Sequence, residues 1–313
     1  MKHPIQVFFT RRMDAESGSR VSPSAAKPGI VAKALKRSHL PVELLEPTPL
    51  REEEIAAAHD PRYVRGVLSG KIPNGFGNCS MDVARSLPYT NGAIVDAAVA
   101  AFTGLSAAAA LASGFHHAGY SSGGGFCTFN GLVLAALRCI KAGAKRAAII
   151  DADYHYGDGT QDILDRLKMN AAIFHYSFGK DFHSPSQAEV YLNRIVRLRQ
   201  ELEVFNPEVI IYQAGADAHR EDPLGGVLTN EELLERDRKV FQIAKDLGVG
   251  VAWTLAGGYQ RDRDGGISRV VEIHLNTFRA ALEVQTGNCN YNTSSGSDHS
   301  RIACPDAEIS CGK

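Results

Sequence analysis

Four polar groupings in this chain are built from residue types that bind metals and move protons. The densest is Asp151-Ala152-Asp153-Tyr154-His155-Tyr156-Gly157-Asp158-Gly159-Thr160, which follows directly on an apolar run ending in Ile149-Ile150. In an extended backbone Asp151, Asp153 and His155 fall on one side and Ala152 and Tyr154 on the other, so a carboxylate and an imidazole can converge on one cation. Asp153 and His155 are therefore candidate metal ligands, and Asp151 and Asp158 are candidates for orienting other histidines. A polar turn closing a buried strand is the plain structural alternative. The other groupings are His116-His117, Gly215-Ala216-Asp217 and Gly257-Gly258-Tyr259. Adjacent histidines are costly to bury without partners, and a Gly-Gly turn frees Tyr259 to aim its hydroxyl inward. Asp153, His155 and Asp217 make a set of two carboxylates and one imidazole with a position left open. That set suits a catalytic Zn2+, which lowers the pKa of water toward roughly 7. Such a site hydrolyses bonds.

The elements that must position these groups alternate in kind. Residues 5–9, 42–45, 146–150, 171–174, 207–213 and 250–255 read as strands. Residues 25–37, 131–142, 160–168, 187–202, 230–247 and 267–284 read as helices, and an Ala-rich helix covers 91–101 and continues toward 112. The Gly-, Pro- and Asn-rich stretch 69–78 reads as an irregular loop, either a plain connection or the lining of a site. The alternation implies one α/β domain over residues 1–285, a mainly parallel sheet flanked by helices on both faces. A polar tail, expected to be mobile, follows over 286–313. Parallel sheets gather functional groups at the carboxyl ends of their strands, where these groupings fall.

Composition narrows the function further. With 313 residues, 44% of them apolar, and a net charge of -1, the chain can bury a large core but has no field to attract nucleic acid. Its apolar runs are too short for a signal segment or a bilayer crossing, so no membrane partner is expected and the location reads as cytoplasmic. The six cysteines show no Cys-x-x-Cys spacing and read as reduced thiols. A phosphate cradle in the glycine-rich stretch 121–125 lacks the Gly-Lys-Ser/Thr that should follow.

Together these motifs resemble those of the histone deacetylase family, in the superfamily shared with acetylpolyamine amidohydrolases and arginases. Five segments match in the family's order: Gly114-Phe115-His116-His117-Ala118, Gly125-Phe126-Cys127-Thr128-Phe129-Asn130, Asp151 to Thr160, Gly215-Ala216-Asp217 with Asp222-Pro223, and Gly257-Gly258-Tyr259. The resemblance implies the arginase/deacetylase fold, with Zn2+ on Asp153, His155 and Asp217. It implies that His116 and His117 serve as general base and acid, paired with Asp151 and Asp158, and that Tyr259 donates to the acyl carbonyl. Gly125 and Phe126 would line a channel for a thin aliphatic chain, with Phe182 as the opposite wall and Leu224 as a further lining residue. A K+ site is also implied, with partners near Phe174 and His175, where the family's usual serine is missing. Ala152, Tyr156 and Ala256 depart from the family pattern without removing a ligand, base or donor.

The activity so implied is removal of an acetyl or other acyl group from the side-chain amine of a protein lysine by metal-activated water. An acylated small amine, as in acetylpolyamine amidohydrolases, is the nearest alternative substrate. For it, Glu221 and Asp222 would have to hold a cationic amine, and the sequence leaves that choice and the oligomeric state open. An arginase-like pair of Mn2+ ions would need an Asp-Ala-His-x-Asp run that is missing. An inactive acyl-lysine-binding module should have lost Tyr259, a histidine or a ligand, and all are in place.

Overall fold

Strands that are apolar on both faces can only sit inside a sheet covered on both sides. The computed structural model of the protein describes residues 4–104 and 106–287. Its strands are β1 (Ile5–Phe8), β2 (Val42–Leu45), β3 (Ala107–Ala110), β4 (Ala147–Asp151), β5 (Ile173–Ser177), β6 (Val209–Gly215) and β7 (Gly250–Ala256). They pair in parallel in the order β2-β1-β3-β7-β6-β4-β5. The helices are α1 (Lys27–Arg37), α2 (Glu52–Ile55), α3 (Pro61–Leu68), α4 (Met81–Gly104), α5 (Gly131–Lys141), α6 (Asp158–Leu167), α7 (Ala188–Phe205), α8 (Asn230–Leu247) and α9 (Ser268–Thr286). Every residue of β4, β6 and β7 is buried, so their period of two shows only in what each side chain meets. Ala148, Ile150, Ile210 and Tyr212 pack with α1, α7, α8 and α9, whereas Ala147, Ile149, Val209 and Ile211 pack with α3, α4, α5 and α6.

The largest departure from the sequence reading lies at Ala107–Ala110. Four alanines there continue the Ala-rich segment and read as helix, yet they form a central strand between β1 and β7. Strand preference reflects fit to neighbours more than intrinsic bias, and small side chains suit a crowded layer. The crowding is visible next door, where a Cβ added to Gly250 would fall 1.9 Å from the carbonyl oxygen of Ala101 in α4. α4 correspondingly begins at Met81, ahead of the expected start, and ends at Gly104. β5 runs from Ile173 to Ser177, later than expected. Residues 288–313, which hold most of the expected tail with Cys289, Cys304 and Cys311, lie outside the described residues. Cys79, Cys127 and Cys139 are free thiols. Among the described residues no helix is long and apolar enough to cross a membrane.

This topology makes β3, β7, β6 and β4 consecutive neighbours, so their carboxyl ends share one edge. His116 and His117 follow β3, Tyr259 follows β7, Asp217 follows β6, and Asp153 and His155 follow β4. Asn130 ties the histidine segment to that edge. Fully buried, it caps α5 by accepting from the Val133 amide at 3.2 Å, and its Nδ2 donates to Ala118 O at 3.1 Å and Thr160 Oγ1 at 3.0 Å. Replacing it removes a helix cap and strands buried polar groups. Asn130→Ala should therefore lower stability by about 2–3 kcal/mol in urea denaturation; a loss below about 0.5 kcal/mol, the range of a neutral surface change, would contradict this role.

Candidate active site

The three candidate metal ligands converge. One ligand atom from each of Asp153, His155 and Asp217 lies within 4.8 Å of the other two. His155 Nδ1 sits 3.1 Å from Asp153 Oδ1 and 3.1 Å from Asp217 Oδ2. Both carboxylates are buried and the imidazole is half-buried. The backbone holds them: Tyr154 N donates to Asp217 Oδ1 at 3.1 Å, and His155 N to Asp153 Oδ1 at 3.0 Å. Burial and then the Asp153 charge push the Asp217 carboxyl above its ordinary range. Burial would raise Asp153 too, but His116 and His155 outweigh it and hold that carboxyl low. Against burial, the two carboxylates raise His155 to about 10. The cluster demands a positive charge at its centre, and two oxygens with one nitrogen and an open position fit Zn2+.

Each histidine of the pair has a carboxylate behind it. His116 Nδ1 lies 2.8 Å from Asp151 Oδ2, and His117 Nδ1 lies 2.7 Å from Asp158 Oδ1. Such a bond fixes the tautomer and leaves Nε2 as the working nitrogen. For His116 that nitrogen is 3.7 Å from Asp153 Oδ1, beside the metal set. Asp151 is itself pinned by Gln213 Nε2 at 3.0 Å, the Asp153 amide at 3.2 Å and Ser177 Oγ at 3.3 Å. The two imidazoles are 4.0 Å apart and differ in character. Burial opposes charge on His116, but Asp151 and Asp153 raise it to about 9. Burial and the neighbouring His116 lower His117, against the pull of Asp158.

Tyr259 reaches the same place through a turn that only glycine allows. Gly257 has φ +47°, and a Cβ there would fall 2.1 Å from Asp217 Cγ. Asp222 clamps the turn from below, accepting from Tyr259 N at 2.7 Å and from Leu224 N at 3.0 Å. Asp222 is buried and its neighbour Glu221 is exposed. The Tyr259 ring is 6.4 Å from His155. Burial, then Asp217 and Asp153, push the phenol well above its ordinary range, so it stays a donor.

The channel residues are only partly where the sequence placed them. Gly124 and Cys127 exchange backbone bonds of 3.0 and 2.8 Å around Gly125-Phe126. A loop of two residues with φ +53° and +66° is a type I′ turn, and Phe126 bears the strain of the left-handed position. Its ring stands 5.9 Å from Tyr259 and 5.7 Å from Phe76, so the 69–78 loop lines the site. Phe182, expected as the opposite wall, is instead only 6% exposed and packs into the core against Phe178 and Tyr191. The Phe178–Lys180 turn directs it inward. Tyr154 stands edge-on to His155 at 5.3 Å, its hydroxyl donating to His183 O at 3.3 Å. Leu224 is 39% exposed, on the loop above Asp222.

The potassium expectation turns on where the residues of β5 fall. Strand register sets Phe174 level with Ala148 and His175 level with Ile149, while Ser177 stands level with Asp151. Phe174 packs against Phe205, and His175 bonds to Gln161. Neither joins Asp151, and a K+ site at those positions has no support. Missed altogether was Lys27, fully buried, whose Nζ donates to Gly257 O and to Ser113 Oγ. Burial lowers its pKa to about 8, while Asp217, Asp153 and Asp222 counter that effect. Its signal was register, since Lys27 shares the inward face of α1 with Val31 and Leu35.

Comparison with known proteins bears on this geometry. The chain matches the histone deacetylase domain over residues 22–190 and 181–277. An uncharacterized protein of Picosynechococcus sp. is 30% identical over 268 residues, covering 78% of this chain and 86% of that one. Histone deacetylase 2 of Arabidopsis thaliana is 30% identical over 52% of this chain and 46% of its own length. Acetylpolyamine amidohydrolase 2 of Pseudomonas aeruginosa is 26% identical over 48% of this chain and 50% of its own length. The matches thus span about half the length of these two named relatives. The crystal structure of the HDA15 HD domain superposes with a TM-score of 0.73 at 22% identity, covering 92% of this chain and 91% of that one, and so shares the fold. With the domain match running through most of the described residues, this chain belongs to the histone deacetylase family.

Proposed function

We propose that the protein is a zinc-dependent deacylase that hydrolyses the amide between an acyl group and the side-chain amine of lysine. The observation that carries this reading is the convergence of Asp153, His155 and Asp217 beside a carboxylate-backed histidine pair and a half-buried phenol. Bound among those three ligands, Zn2+ would supply Lewis acidity toward the acyl carbonyl and toward water. His116 and His117 each give Nδ1–H to a carboxylate, so proton traffic runs through Nε2: His117, held low, is free to take a proton from water and return one to the leaving amine, while His116, held high, keeps its positive charge beside them. His117, with 23% of its side chain exposed, is the one open to a substrate. Tyr259 donates its hydroxyl to the carbonyl oxygen as negative charge grows on it. Phe126 and Tyr154 flank the approach and shield the aliphatic stem from water. A cytoplasmic location is part of this proposal.

A second reading, an acylated small amine as substrate, is favoured by the likeness to acetylpolyamine amidohydrolase 2. Against it stands the engagement of Asp222 with the Tyr259 turn, which leaves Glu221 as the acid of that loop for a cationic amine. A panel of acyl-lysine peptides and acetylated diamines decides between them. Higher kcat/KM on the peptides is the expected result, and preference for the diamines would reverse the choice.

Two variants test the roles. Tyr259→Phe removes only the oxyanion donor, so kcat should fall by about 10²–10³-fold with the bound metal unchanged. Unaltered turnover on an acetyl-lysine peptide would contradict that assignment. Asp217→Ala should reduce bound zinc from one per chain to nearly none by elemental analysis, and a chelator should silence the parent protein until Zn2+ is restored. Full metal content in Asp217→Ala would refute the ligand set.

A further inference from the structure

We infer that Arg236 is a positioning residue that fixes the separation of the two metal-binding carboxylates by clamping the strand ends from which they leave. The inference rests on the metal reading of Asp153, His155 and Asp217. Arg236 lies on α8 with no exposure, at the inward register of Leu233, Val240 and Ala244. A buried guanidinium persists only where its hydrogens are placed with care. Nε and Nη2 face Asp237 Oδ1 at 2.9 and 2.8 Å. Asp237 is in turn held by the hydroxyl of Tyr212, on β6, and by Thr277 Oγ1, on α9, at 2.6 Å.

That anchorage leaves Nη1 to act elsewhere, and it donates to Ala152 O at 3.1 Å and to Gly215 O at 2.7 Å. Ala152 immediately precedes Asp153, and Gly215 stands two residues before Asp217. β4 and β6 are paired up to Asp151 and Gln213, with Ala152 N still donating to Gln213 O at 3.0 Å. Beyond that point β4 and β6 leave their shared ladder, and the residues just past it aim two carboxylates at one cation. The tips are also in close contact, since a Cβ on Gly215 would fall 2.4 Å from Asp153 Cα. One nitrogen bonded to both departing carbonyls pins the fork. A lysine would keep the charge, but its single ammonium lacks the planar fork that serves Asp237 and both carbonyls together.

The test uses the full chain, stripped of metal and titrated with Zn2+ alone, with the visible absorption of the Co2+-loaded protein as a second readout. Arg236→Lys should bind Zn2+ about tenfold or more weaker, the scale seen when groups that orient ligands are lost, and should shift the Co2+ bands. Asp237→Asn, which loosens the guanidinium without removing it, should weaken binding less but in the same direction. Ile211→Val, a buried truncation on β6, should lower the unfolding temperature yet bind both metals like the parent. Binding by Arg236→Lys within twofold of the parent, with unchanged Co2+ bands, overturns the inference. So does equal weakening in Ile211→Val, which would reduce the effect to stability. Should Arg236→Lys fail to fold, Asp237→Asn decides in the same way, weakened binding supporting the clamp and parental binding overturning it. A parent chain that binds no divalent ion would sink the metal reading itself, a failure distinct from parental binding in the variants.

Discussion

Two carboxylates, Asp153 and Asp217, lie buried within reach of one imidazole nitrogen, and the rest of the site follows from what that requires. Burying one unpaired carboxylate costs several kcal/mol even after relaxation. Two at hydrogen-bonding distance from the same nitrogen add mutual repulsion, visible in the upward push on Asp217. The arrangement holds only if positive charge stands between them and backbone donors fix their oxygens. The amides of Tyr154 and His155 supply those donors, and His155 Nδ1, 3.1 Å from each carboxylate, marks where that charge belongs.

A parallel sheet delivers this arrangement at low cost in geometry. Adjacent strands β4 and β6 end side by side, so carboxylates just past their tips meet without long loops. β7 and β3 bring Tyr259 and the histidine pair to the same edge, because they are the next strands along. Two buried cations reach the carbonyls where the strands end, Arg236 at Ala152 and Gly215 and Lys27 at Gly257. The sheet fixes the neighbours, and these cations occupy the places where its own hydrogen bonding stops. The proposed chemistry, in which a carbonyl is polarised while a histidine and a phenol manage protons and charge, depends on that edge staying rigid.

What was legible in the sequence divides along a physical line. Asp153, His155, Asp217, His116, His117 and Tyr259 sit in short motifs at strand ends, where chain direction alone fixes which way they face. Phe182 does not, because a short turn at Phe178–Lys180 decides its direction and sends it into the core. The serine level with Asp151 was overlooked for a related reason: pairing with β4, a tertiary fact, determines that Ser177 and not Phe174 arrives there. Ala107–Ala110 misled because alanine's helical preference is weak beside the demand for small residues next to α4. Lys27 and Arg236 left a usable trace that went unread, a charged residue at the inward register of an otherwise apolar helix face.

The central claim is that one divalent cation occupies the space enclosed by Asp153, His155 and Asp217. Anomalous diffraction collected at the zinc absorption edge, from crystals of the protein grown with Zn2+, addresses it directly. A single strong peak per chain is expected, about 2.0–2.2 Å from one oxygen of each carboxylate and one nitrogen of His155. A peak elsewhere with these three side chains turned apart, or a second peak about 3.5–4 Å from the first, would contradict it.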